Sequence, residues 1–86
     1  MARQFAYFYF MKNDPDKIRS VVPLHAAYWK NCRLKEYAGG PFADRSGGLI
    51  TFKAETIEKA AELMMSDPFV SENLIEQKWI KEWLVE

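Results

Sequence analysis

The sequence predicts an α+β fold of order βαββαβ, on three observations: four short runs of strand-forming residues, two segments with apolar residues at helical spacing, and clusters of Gly, Pro and Asp between them. Phe5-Ala6-Tyr7-Phe8-Tyr9-Phe10-Met11 is the first strand, and Lys12-Asn13-Asp14-Pro15 turns the chain after it. Asp14-Pro15 can cap a helical turn. Pro23 has no N–H for a helix interior, so the first main helix is expected to open at Pro23 and run to about Cys32. Leu24, Ala27 and Tyr28 form its apolar stripe, with His25, Trp29 and Cys32 on the neighbouring flank.

A second strand is expected over residues 34–38, ended by Gly39-Gly40-Pro41, then a turn-rich loop over 42–47 and a third strand over 49–52. Thr56 caps the second helix, whose Ile57, Ala60, Ala61 and Met64 fall on one face and which ends near Ser66. Asp67-Pro68 opens a short turn or one-turn helix, its carboxylate capping Phe69 or Val70. Residues 74–85 are the last strand. This order is the ferredoxin-like split βαβ arrangement, a four-stranded antiparallel sheet with both helices on one face, formed by a single domain over residues 1–86.

Strand alternation puts Phe5, Tyr7, Tyr9 and Met11 on one side of the first strand and Ala6, Phe8 and Phe10 on the other. Both sides are apolar, and helices cover only one. Leaving the other in water would expose more apolar surface than a monomer usually tolerates, so the chain is expected to form a homodimer or a higher homo-oligomer.

Composition narrows the function. Twelve Lys+Arg balance twelve Asp+Glu, so there is no basic field to draw nucleic acid. One cysteine, Cys32, closes no intrachain disulfide and suggests a reducing compartment, taken as the cytoplasm. The opening residues carry no signal-peptide pattern, and no apolar run approaches the roughly 20 residues of a membrane span, so no membrane association is expected. With one His, one Cys and no carboxylate cluster, no metal site is expected, nor any other cofactor.

His25 is the side chain best suited to act as a general base near neutral pH. In the first turn of a helix opening at Pro23, it would meet the positive end of the dipole, which favours the neutral ring. The plainer reading is a histidine packed beside Trp29. Asp67 has two oxygens, so one can cap the helix while the other orients His25. Tyr7, Phe8, Tyr9, Trp29 and Phe42 could wall a site for a planar ring, or serve only as packing.

The segments Gly39-Gly40-Pro41, Gly47-Gly48-Leu49-Ile50, Glu58-Lys59-Ala60-Ala61 and Asp67-Pro68-Phe69-Val70, with His25 upstream, resemble the YCII-like family of small ferredoxin-like proteins over residues 20–85. The family is similar in fold to the dimeric α/β-barrel proteins. Most members have no known activity; where chemistry is assigned, a His-Asp dyad starts it, and dehydrochlorination of a chlorinated hydroxyquinol is the known reaction type. The resemblance places that dyad on His25 and Asp67. The family often has an arginine where this chain has Val22, and some members have a hydroxyl near Gly48, groups that would bind an oxyanion. Arg19, or Arg45 with Ser46, would substitute here, with Pro68 as a further substrate-binding position.

Two readings of different class follow. The first is a small cofactor-free enzyme in which His25 abstracts a proton from a small aromatic or enolisable metabolite while Asp67 accepts the other ring N–H, chemistry of the lyase, isomerase or dehydrochlorinase type. The alternative is a non-catalytic, small-molecule-binding or accessory dimeric domain using the same crevice.

Overall fold

The computed structural model describes residues 2–86. Its elements are β1 (Arg3–Met11), α1 (Pro15–Asn31), β2 (Ala38–Pro41), β3 (Gly47–Ala54), α2 (Ile57–Met65), α3 (Pro68–Ser71) and β4 (Ile75–Glu82). The strands form one antiparallel sheet in the order β2-β3-β1-β4, with the helices on one face. The fold is therefore ferredoxin-like α+β, as the alternating pattern implies.

The first helix differs from the sequence expectation. It begins at Pro15, capped by Asp14, whose carboxylate accepts from the Lys17 N–H, and Pro23 lies in its interior. Asp before Pro is a strong helix start, because proline at the first position lacks an N–H that would have no partner there anyway. Pro23 removes one intrahelical bond, but it sits on the exposed side, where water can satisfy the freed carbonyl. His25 is thus roughly three turns into the helix, beyond the reach of the N-terminal dipole.

The second strand is displaced as well. Arg33 and Glu36 take positive φ values, 51° and 50°, which break an extended run over 34–38. Pairing begins at Ala38↔Thr51 and runs through the glycines to Pro41↔Gly48, so Gly39-Gly40-Pro41 is the strand rather than its terminator. As an edge strand it needs no donor on its outer side, which makes proline acceptable. Gly47 and Gly48 begin β3 because β1 passes too close for a side chain: a Cβ on Gly47 would run into the Tyr9 carbonyl. β4 ends at Glu82, after which the Trp83 N–H still pairs with the Gln4 carbonyl at 2.8 Å.

Register sets the two faces. Phe5, Tyr7 and Tyr9 of β1, with Ile50 and Phe52 of β3, are buried beneath the helices, where they meet Val21, Trp29, Ala60, Met64 and Phe69. Phe8 pairs with Leu49 and Trp79 on the opposite face. There Phe8 stacks on Trp79 with ring centres 5.3 Å apart, and Phe10 stands edge-on to Trp79 and beside Phe42. Leu49, Trp79 and Phe10 are each more than a third exposed. The open face is an aromatic surface.

Candidate active site

A fully buried carboxylate organises the helix side of the sheet. Asp67 caps α3, accepting from the Phe69 N–H at 2.9 Å, and this fixes its side chain at the junction of α2 and α3. His25 reaches it from α1, with Nδ1 2.7 Å from the same oxygen, Oδ1. The second oxygen, Oδ2, accepts from the Trp29 indole N–H at 3.0 Å and from the Tyr7 hydroxyl at 3.3 Å. The expected division of labour, one oxygen for the cap and the other for His25, is therefore replaced by one oxygen doing both. Four donors surround an anion with 0 % exposure, which is how a protein keeps a buried carboxylate from being orphaned. Among the described residues no buried side-chain polar atom lacks a partner.

Tyr7 and Trp29 are hydrogen-bond partners of Asp67 that the sequence reading placed on their strand and helix faces and in an aromatic wall, without this role. Their spacing carried the signal. Trp29 is one helical turn beyond His25 and faces the same way, and Tyr7 is two residues before Tyr9 on the same face of β1. Burial, reinforced by the neighbouring Asp67 charge, holds the Tyr7 phenol well above the ordinary tyrosine range. Burial does the same to Tyr9, with the charges of Asp67 and Tyr37 adding to it.

An ionised carboxylate only accepts, so His25 donates from Nδ1, and its Nε2 carries a lone pair in the neutral ring. The ring is stacked on Phe69, centres 4.0 Å apart at 13°, and Tyr9 stands edge-on to it. The Tyr9 hydroxyl lies 3.5 Å from Nε2. The histidine side chain is 15 % exposed. Its exposed edge meets a cavity of about 390 Å³ between α1, β2 and the start of β3, lined chiefly by apolar groups including Met11, Ile18, Val22, Pro41 and Phe69. The polar groups that line it with His25 are Tyr9, Tyr37 and Arg45.

The other sequence candidates are distributed unevenly. Arg45 lines the cavity, in a left-handed backbone conformation with φ 65°. Ser46 is next to it, but its hydroxyl and N–H are both directed to Asp44, at 2.7 and 3.0 Å. These bonds hold the Asp44 carboxyl below the usual range and fix the loop that presents Arg45. Arg19 is not at the cavity; its guanidinium pairs with Asp16 at 3.2 Å on the exposed side of α1. Pro68 is the first residue of α3, adjoining Asp67 in the chain, and its neighbour Phe69 is the one that reaches the cavity. Val22 does face the cavity, so the position from which the resemblance expected an arginine is apolar here, and Arg45 is the cationic residue among the lining groups. Among the described residues no group of three His, Cys, Asp or Glu is placed to hold a metal ion, and no helix is long and apolar enough to cross a membrane.

Comparison with known proteins agrees with this architecture. The solved structure of 5-chloro-2-hydroxyhydroquinone dehydrochlorinase from Burkholderia phenoliruptrix AC1100, in complex with 2,5-dihydroxybenzoquinone, is similar with a TM-score of 0.82 at 17 % identity, covering 96 % of this chain and 95 % of that one. A protein from Shewanella oneidensis matches with a TM-score of 0.63 at 13 % identity, over 95 % of this chain and 88 % of that one. At these identities the likeness is one of fold. An uncharacterized protein of Bacillus subtilis (strain 168), YjpA, is 43 % identical over 51 residues, 59 % of this chain and 56 % of the relative, so the matched stretch spans about half of that protein's length. The family model of the YCII-related domain matches residues 4–84. The chain belongs to the YCII-related domain family.

Proposed function

We propose that the protein is a cofactor-free enzyme in which neutral His25, oriented by Asp67, removes a proton from a small aromatic or enolisable molecule, in chemistry of the lyase or dehydrohalogenase type. The observation that carries this reading is the division of the histidine's two nitrogens: Nδ1 is bound at 2.7 Å to a buried carboxylate, and the ring's exposed edge meets a cavity. Asp67 fixes the tautomer and stabilises the imidazolium that forms when Nε2 takes the proton. The four donors on Asp67 keep it an acceptor, so it positions the base rather than acting as one.

The cavity volume lies at the small end of the range for ligand sites, and its aromatic and aliphatic walls suit a flat ring. Arg45 supplies the charge that receives an anionic substituent. Ser46 and Pro68 hold the segments carrying Arg45 and Asp67, and Arg19 is assigned no contact with the ligand. A neighbour of the same fold acts on a chlorinated hydroxyhydroquinone and was solved with a quinone, which makes net loss of HCl from a chlorinated hydroquinol the first reaction to test. A second copy of the chain covers the open face of Phe8, Phe10, Leu49 and Trp79.

The experiment is a screen of halogenated hydroquinones, quinones and lactones for halide release by the wild type and by His25→Ala. We expect release by the wild type and a loss of about 10²- to 10⁴-fold in the variant, the usual contribution of a positioned base. Release that survives in His25→Ala contradicts the assignment of the base. Binding without turnover across the panel favours the non-catalytic alternative.

A further inference from the structure

The Tyr9 hydroxyl and His25 Nε2 stand 3.5 Å apart beside the cavity. In the resting protein the phenol donates to the ring lone pair, because Asp67 already occupies the Nδ1–H. At this length the bond is weak. Two polar atoms so spaced suit a shared third partner: an oxygen placed between them reaches both at about 2.8 Å, an ordinary hydrogen-bond length. One inserted oxygen thus exchanges a poor bond for two good ones.

The phenol is also held firmly in place. Tyr9 packs against Tyr7, ring centres 4.9 Å apart, and edge-on to His25 and Phe69. It is 4 % exposed. Across the ladder from it stands Gly48, where an added Cβ would collide with the Tyr9 hydroxyl oxygen. Glycine at position 48 therefore leaves the space that lets a tyrosine hydroxyl reach the base.

We propose that the Tyr9 hydroxyl and His25 Nε2 form a two-point clasp for one ionisable hydroxyl of the substrate, which makes the substrate class a phenol or an enol. The inference rests on the proton-abstraction reading above. In the step, the substrate O–H bond breaks, its proton bonds to Nε2, and the electron pair stays on the substrate oxygen. Tyr9 turns its own O–H from Nε2 to that oxygen and donates to the new oxyanion, keeping its proton throughout. Burial, which raises the Tyr9 phenol above the ordinary range, supports this role, since the group remains a donor. The imidazolium is countered by Asp67.

The test uses the full chain, titration calorimetry, and two probes, chlorohydroquinone and its dimethyl ether, against wild type and Tyr9→Phe. We expect the wild type to prefer the hydroquinone, and Tyr9→Phe to weaken hydroquinone binding by about tenfold, the scale of one hydrogen bond to a charged or buried group. Binding of the ether should stay within about twofold, since it brings no hydroxyl to the clasp. Equal losses for both probes, or no loss for either, overturn the clasp and leave the proton-abstraction reading standing. A wild type that binds both probes equally well, or binds neither, also overturns it, and the halide-release screen with His25→Ala decides the proton-abstraction reading separately. Should Tyr9→Phe fail to fold, a crystal structure of the wild type with chlorohydroquinone decides. A hydroxyl oxygen within about 3.2 Å of both Tyr9 Oη and His25 Nε2 supports the clasp, and one touching only a single partner overturns it.

Discussion

His25 Nδ1 and Asp67 Oδ1 are 2.7 Å apart although 42 residues separate them in the chain. Two unrelated local features create the pairing. α1 carries the histidine across the sheet, and the α2–α3 corner turns the Asp67 carboxylate inward to cap Phe69. A cap is normally a surface device; here the same oxygen also receives the histidine.

That double use makes Asp67 costly to replace. Asp67→Ala would leave His25, Trp29, Tyr7 and the Phe69 N–H without their acceptor, and we expect a loss of about 3–5 kcal/mol, the scale for breaking a buried charged network. Asp67→Asn keeps one acceptor oxygen but turns an NH₂ toward other donors. It should lose less than the alanine variant, yet more than the roughly 1 kcal/mol of a simple cap. Urea unfolding of the three proteins checks the order. Both variants within about 1 kcal/mol of wild type would mean that the network contributes little.

Much of this arrangement is legible in the sequence, and the errors share a cause. Alternation in β1 sorts Phe5, Tyr7 and Tyr9 from Phe8 and Phe10 correctly, because period two is a purely local signal. Pro23 misled the helix boundary, since one missing hydrogen bond on an exposed face is tolerated when a strong Asp14-Pro15 start lies upstream. Gly39-Gly40-Pro41 reads as a turn by residue preference but is held as a strand by pairing with β3, a tertiary effect that no local pattern contains. Trp29 and Tyr7 as donors to Asp67 depend on where three elements meet, so the sequence marks only their faces.

Alkaline pH should unfold the protein early. Tyr7 and Tyr9 are raised in the folded chain, chiefly by burial, whereas in the unfolded chain they titrate near pH 10. Above about pH 10 the unfolded state gives up protons that the folded state keeps, so stability is unaffected by these groups below that pH and falls above it. The slope is about 1.4 kcal/mol per pH unit for each such tyrosine. Tyr7→Phe should reduce the slope while lowering stability at neutral pH by the loss of its bond to Asp67. An unchanged slope in chemical denaturation between pH 9 and 11 would contradict the assignment.

Gly40 of β2 and Gly48 of β3, one step off register on the paired strands, should behave differently. A Cβ at Gly40 meets nothing within 4 Å, and Gly40→Ala should be nearly neutral. A Cβ at Gly48 collides with the Tyr9 hydroxyl and crowds the Gly40 carbonyl, so Gly48→Ala should destabilise by about 1–3 kcal/mol, the usual cost of overpacking. Thermal melts compare them directly, and equal melting temperatures would refute the close approach.

Association should depend on the open sheet face. Trp79 stacks on Phe8 and remains 37 % exposed. Trp79→Asp should dissociate a dimer of ordinary interface size, about 1,600 Å², into chains of 10.1 kDa without disturbing the helix-side core. Light scattering distinguishes the two. A wild type that scatters as a single chain at micromolar concentration would remove the partner from this face.

The position of one proton tests the dyad most directly. His25 is the chain's single histidine, so its side-chain nitrogens can be assigned without ambiguity by ¹H–¹⁵N correlation spectroscopy on the neutral form. We expect the Nδ1–H tautomer, with the proton held by Asp67 and Nε2 bearing the lone pair that takes the substrate's proton. A neutral ring protonated at Nε2, with Nδ1 bare beside the carboxylate, would contradict the assignment of His25 as the base.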